Sequence, residues 1–148
     1  MPLQVTLSLV ETALGYALRL LAQRAYTEKA LREKLLARFS PLEVEEALSR
    51  LKGYGYLDDR AFARAFVEAR KRYGPLKLKA LLRARGVPEE VWGEVVPEAT
   101  PEEALAVLRR YPHRRDKPRA VRFLQGRGFP LGVALEAYRR LAEEGEEG

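Results

Sequence analysis

The chain has 148 residues, 47% hydrophobic and 32% charged, and its 27 Lys and Arg against 21 Asp and Glu give a net charge of +6. It contains no Cys, which excludes disulfides, thiolate metal sites and a Cys nucleophile, and no apolar run approaches the roughly 18 residues needed to span a bilayer. The basic balance favours acidic partners, either nucleic acid or acidic protein surface.

Met1–Ser8 has neither a basic region nor a long apolar stretch, so no signal peptide is expected, and a cytoplasmic location fits. Alternation from Leu3 to Leu9 admits a short strand, but an N-terminal arm is the simpler expectation. Ser8-Leu9-Val10-Glu11 reads as a capping box and predicts a first helix at 9–24. Thr27 is a cap for a second helix at 28–39. Ser40-Pro41-Leu42-Glu43 is a capping box with Pro at the first helical position, which predicts a third helix at 41–53. Its Val44, Ala47, Leu48 and Leu51 fall on one apolar stripe.

Gly53-Tyr54-Gly55-Tyr56-Leu57-Asp58-Asp59 then reads as a joint. A Gly ends one helix in the left-handed conformation, Leu57 packs back on it, and Asp58 or Asp59 caps the next. Further helices follow at 59–73, 75–85 and 88–96. Thr100-Pro101-Glu102-Glu103 is another capping box and opens a last group at 101–111, 117–126 and 130–143.

The chain repeats itself. Arg83-Ala84-Arg85-Gly86-Val87-Pro88 lies over Gln125-Gly126-Arg127-Gly128-Phe129-Pro130 with a period of 42 residues. Leu36-Ala37-Arg38-Phe39-Ser40-Pro41 offers a version one residue shorter in the turn. The expected fold is therefore all-α, with three tandem three-helix, helix-turn-helix-like repeats in an elongated array. The repeats are placed at 1–57 with the N-terminal arm, at 58–98, and at 99–148 with an acidic tail.

The joint at 53–63, Gly53-Tyr54-Gly55-Tyr56-Leu57-Asp58-Asp59-Arg60-Ala61-Phe62-Ala63, resembles the RecX family, regulators of the RecA recombinase. Ala17-Leu18-Arg19-Leu20-Leu21-Ala22-Gln23-Arg24-Ala25-Tyr26-Thr27-Glu28 resembles the family's opening pattern, with Tyr26 standing where a small or polar residue is expected. Arg72-Tyr73-Gly74-Pro75-Leu76-Lys77-Leu78-Lys79 resembles its middle pattern. The resemblance covers about residues 13–96 and continues more weakly through the third repeat. It implies three tandem repeats and a non-enzymatic protein that binds RecA and its nucleoprotein filament. Such a protein mainly limits recombinase activity in DNA repair and recombination. Direct, non-specific DNA binding, no membrane association and a monomeric state are the accompanying expectations.

Charge supplies the candidate binding residues. Residues 60–86 hold nine basic side chains against Glu68 alone, and 109–127 hold eight against Asp116 alone. Residues 89–103 between them hold six Glu and no base. The partner-binding candidates are Arg70, Lys71, Arg72, Lys77, Lys79 and Arg83 in the second repeat, and Arg114, Arg115, Lys117, Arg119 and Arg122 in the third. Arg24, Lys29 and Arg32 in the first repeat are weaker. Binding is expected to concentrate in the second and third repeats.

The alternative is a helix-turn-helix-type DNA-binding protein acting without RecA. Neutralising about six phosphates would give it a log–log salt slope near −5. Base readout is poorly supplied, since Gln125 is the sole Gln of the last two repeats and there is no Asn. Catalytic residues, cofactors and metals are not expected. His113 is the only His and sits in a basic loop, where a solvated side chain is expected, and no Walker P-loop is present. Tyr54, Tyr56 and Tyr73 are read as turn packing in preference to base stacking, and Trp92 as a partly buried helix contact.

Overall fold

The computed structural model describes residues 11–147, and all the regular structure among them is helical. The helices are α1 (Ala13–Gln23), α2 (Glu28–Leu36), α3 (Pro41–Gly53), α4 (Asp59–Glu68), α5 (Pro75–Ala84), α6 (Glu89–Val95), α7 (Pro101–Leu108), α8 (Lys117–Gly126) and α9 (Leu131–Glu147). The all-α repeat array expected from the 42-residue period is the fold observed.

Helix starts follow the caps. Thr27, Ser40, Thr100 and Asp116 each accept the backbone N–H of the third residue on, which satisfies an amide the helix itself leaves unpaired. At the joint, Asp58 is the cap of α4: its Oδ1 accepts from Arg60 N at 3.0 Å and Ala61 N at 3.1 Å. Asp59 does something else. Its Oδ1 accepts the Glu28 N–H at the start of α2, 2.9 Å away.

Several boundaries differ from the sequence expectation. α1 starts at Ala13, not 9, because Thr12 is extended and takes the Gly15 N–H at 3.0 Å. The Ser8 capping box and the Leu3–Leu9 alternation lie outside the described residues. α2 stops at Leu36, since Arg38 and Phe39 both turn their N–H onto Leu35 O. α4 stops at Glu68 where a helix to 73 was expected; Arg70 N bonds Val67 O and Tyr73 N bonds Arg70 O in tighter turns. Pro75 also disfavours helical backbone at Gly74. α9 runs beyond 143 to Glu147, so the acidic tail is helical that far.

The described chain groups into two compact units. One runs to Phe62 and takes in Arg85–Val87; the other comprises Ala63–Ala84 and Pro88 onward. The core of the first is built from Ala17 and Leu20 of α1, Leu31 and Leu35 of α2, and Val44, Ala47, Leu48 and Leu51 of α3, closed by Leu57. Tyr26 joins this core, with the Arg24 guanidinium 4.0 Å from its ring centre. The core around α7–α9 holds Ala104, Leu105, Leu108, Ala120, Leu124, Phe129, Ala134, Ala137 and Leu141.

A recurring turn seats in each unit. In the first, the Thr27 hydroxyl donates to Arg85 O at 2.6 Å, and Gly86 (φ 84°) lies against the Lys29 side chain. In the second, Gly74 N donates to Arg127 O at 2.7 Å and Leu76 N to Gly128 O at 3.0 Å. Gly128 has φ 99°, and a methyl on Gly74 would lie 2.5 Å from the Gly128 carbonyl carbon. Only glycine on both sides permits this approach. The 42-residue period therefore repeats a tertiary contact as well as a helix pattern.

Candidate polyanion-binding surface

The joint between Gly74 and Gly128 decides the layout of the second unit's cations. It carries Arg127, which opens the turn after α8, to the turn that follows α4. Glu68, Ala69, Arg70, Lys71, Arg72, Tyr73 and Arg127 line one surface hollow of about 510 Å³ there. Arg127 stands 55 positions from Arg72 and was not among the sequence candidates.

The hollow's cations are held in different ways. The Arg70 guanidinium lies 3.6 Å from the centre of the Phe66 ring and donates to Phe66 O at 3.3 Å. Arg127 stacks over Phe123 at 5.1 Å. Lys71 pairs with Glu68 at 2.8 Å, and this carboxylate pushes the Lys71 pKa up. Arg72 is exposed and makes no ion pair or hydrogen bond with the described residues. On α5, Lys77 lies 4.3 Å from the Tyr73 ring centre and Lys79 5.8 Å from that of Trp92. Arg83, at the end of that helix, is exposed and unpaired among the described residues.

The third repeat's candidates are spent differently. Arg114 donates to Tyr111 O at 3.2 Å and Arg115 to Leu141 O at 3.0 Å. Arg119 meets His113 Nδ1 at 3.0 Å and stands 3.8 Å from Asp116. Arg115 and Arg119 fasten the 111–116 loop to α9 and α8, and Arg114 closes the loop on itself. Lys117 and Arg122 remain exposed and unpaired among the described residues. In the first repeat, Arg32 makes a fork with Glu45 at 2.9 and 3.0 Å, and that hydrogen bonding holds Glu45 below the usual carboxylate range. Arg24 covers Tyr26, and the Lys29 stem lies along Gly86. The structure thus gathers Arg70, Lys71 and Arg72 with Arg127, and leaves the remaining candidates in separate settings.

The aromatics divide as well. Trp92 is half-buried, as expected, and Tyr73 is half-buried beneath Lys77. Tyr54 and Tyr56 are 59% and 62% exposed and meet each other edge-on at 6.0 Å. The turn packing expected for this pair is not what they do; Gly55 at φ 80° turns the backbone so that Leu57 alone enters the core. His113 is exposed, as its loop position suggested, with its ring edge-on to Tyr111. Among the described residues no group of three or more His, Cys, Asp and Glu is arranged to hold a metal, and no helix is long and apolar enough to cross a membrane.

Residues 13–51 match the family model described as RecX, first three-helix domain, and residues 58–96 match RecX, second three-helix domain. The regulatory protein RecX of one Thermus thermophilus strain is 72% identical over 135 residues, spanning 90% of this chain and 95% of the relative. That of Deinococcus radiodurans is 39% identical over 143 residues, spanning 90% of this chain and 70% of the relative. The crystal structure of RecX from Lactobacillus salivarius superposes with a TM-score of 0.78 at 16% identity, covering 88% of this chain and 94% of that one. A second crystal structure, of a regulatory protein RecX, gives a TM-score of 0.68 at 28% identity over 82% of this chain and 68% of that one.

Proposed function

The chain belongs to the RecX family, and from that premise we propose that it is a non-enzymatic, cytoplasmic regulator that binds RecA and its nucleoprotein filament and mainly inhibits recombinase activity. The observation that carries the binding side of this reading is the availability of the second repeat's cations. Arg72 and Arg83 are unpaired among the described residues, and Lys77 and Lys79 use ring faces and no carboxylate. Cations without internal carboxylate partners lose little on meeting an acidic surface, and they steer the encounter at a distance. Arg114, Arg115 and Arg119 are already engaged within the chain, so the reading gives them a supporting role.

The test is cosedimentation with RecA filaments assembled on single-stranded DNA, set beside bare DNA and free RecA. Binding to the filament well above binding to bare DNA is the expected result. Equal recovery on bare DNA and on filaments would favour a DNA-binding protein acting without RecA. Recovery in neither would remove the reading.

A further inference from the structure

We propose that Tyr54 and Tyr56, with the acidic hollow beside them, form a docking point for a protein surface that presents a cationic side chain among apolar ones. On the filament reading above, on which the inference rests, that surface belongs to a RecA subunit and not to the DNA. The contact adds to the second repeat's cations one of opposite sign on the first.

Three observations carry it. The first is exposure. Tyr54 and Tyr56 are each more than half exposed and meet edge-on, while Leu57 beside them is buried. The turn needs Leu57 for its packing and Gly55 for its φ of 80°; it needs neither ring. Two tyrosines held in water at one point have the make-up of an interface hot spot, where Tyr is over-represented. The second is rigidity. Tyr54 N donates to Arg50 O at 2.9 Å, Gly55 N to Lys52 O at 3.1 Å and Tyr56 N to Leu51 O at 2.9 Å. The backbone that carries both rings is thereby fixed to the end of α3. Each ring has only its own side-chain torsions left to lose on binding, a small ordering cost.

The third is charge, and it selects the partner. The adjoining hollow, about 290 Å³, is lined by Glu28, Lys52, Gly55, Leu57, Asp58 and Asp59. Lys52 is its single base and pairs with Glu28 at 2.5 Å. Asp58 and Asp59 each spend Oδ1 on backbone amides, and neither pairs with a cation among the described residues. Burial, and then the charges of Glu28 and Asp58, push the Asp59 pKa up, so this carboxylate is short of positive charge. A nucleic-acid strand would bring its phosphates onto these carboxylates and be repelled. A partner's Lys or Arg can lay its stem or guanidinium on a tyrosine face and turn its charge toward Asp58 and Asp59. The rings carry the inference, and the carboxylates decide which partner they meet.

The test is cosedimentation with RecA filaments on single-stranded DNA, titrated with the full chain and its variants to give an apparent affinity. The double variant Tyr54→Ala, Tyr56→Ala is expected to bind about thirtyfold more weakly, the loss of one hot spot. Tyr54→Phe with Tyr56→Phe keeps the rings and should bind within about twofold of the parent. Asp58→Asn keeps a capping oxygen for α4 and removes the charge, and should cost about threefold. Leu42→Ala, which removes a still more exposed side chain on α3, should bind as the parent does.

Both rings lie outside the core, so the double alanine variant should match the parent in circular dichroism and urea midpoint. Parental filament binding by that folded variant would overturn the proposal. So would an equal loss in Leu42→Ala. An equal loss of affinity for labelled oligothymidine without RecA would make the pair a base platform and overturn it as well. Unchanged binding in Asp58→Asn would overturn the choice of a cationic partner. In each of these cases the parent still cosediments and the filament reading stands. A parent that does not cosediment removes that reading and the docking point together.

Discussion

Gly128 combines a φ of 99° with a neighbour that leaves no space: a methyl there would lie 2.5 Å from the Lys77 backbone N. Gly128→Ala is therefore strained both in its own backbone and against α5. A loss of more than about 1 kcal/mol is expected in a urea unfolding curve, where alanine is forced to positive φ. Gly53→Ala, at a helical position with nothing near the added methyl, should leave the midpoint unchanged or raise it.

The same contrast shows what the sequence revealed about the candidate surface. Arg70, Lys71 and Arg72 are adjacent, so charge counting found them. Arg127 is brought to them by a backbone joint that no charge count registers. Arg-Gly-Val-Pro at 85–88 and Arg-Gly-Phe-Pro at 127–130 align and mark a helix boundary in the sequence, but the tertiary contact each turn makes exists only in the folded chain. The exposure of Tyr54 and Tyr56 is not legible in sequence for a related reason: the direction of a turn side chain depends on the φ of Gly55.

Beyond its core contacts, helix α9 is tied to Glu102 of α7 and to Arg109 by charges that its amphipathic pattern does not predict. Arg140 reaches Glu102 of α7 at 2.6 Å and Glu136 at 3.2 Å, while Arg109 pairs with Glu144. Arg139, then Arg140, hold the Glu136 carboxyl down at about 2, from an ordinary 4.5. Arg140 lowers Glu102, and Arg109 lowers Glu144. A carboxyl depressed by folding contributes stability that is present above its unfolded pKa and lost as pH falls through the folded one. Stability should therefore decline as pH drops from about 4.5 toward 2, and urea midpoints across that range measure it. Glu136→Gln should flatten the decline; an unchanged profile would mean that these exposed pairs contribute little.

Helix existence and order were readable from Pro, Gly and cap residues, and the apolar stripe of α3 is buried at every position named. The ends of α2 and α4 were not, because tight turns that follow them set them; α9 runs past its last apolar residue, where Glu143 and Glu144 pair with Arg139 and Arg109.

Charge along the whole chain alternates in blocks, and the structure gives the blocks different tasks. Glu102 is paired with Arg140, Glu136 with Arg139 and Arg140, and Glu144 with Arg109, and the 111–116 arginines fasten a loop. The second repeat keeps cations whose faces are stacked or free. The expectation that binding concentrates in the second and third repeats narrows accordingly to a proposal centred on the second, with Arg127 contributed by the third. Inhibition of RecA-driven strand exchange, titrated with the parent chain and with a Lys71→Glu, Arg72→Glu, Lys77→Glu variant, addresses that proposal most directly. The parent should inhibit, and the folded variant should need at least about tenfold more protein, as expected when several desolvated or steering charges are reversed. Equal inhibition by a variant with native circular dichroism would contradict the account.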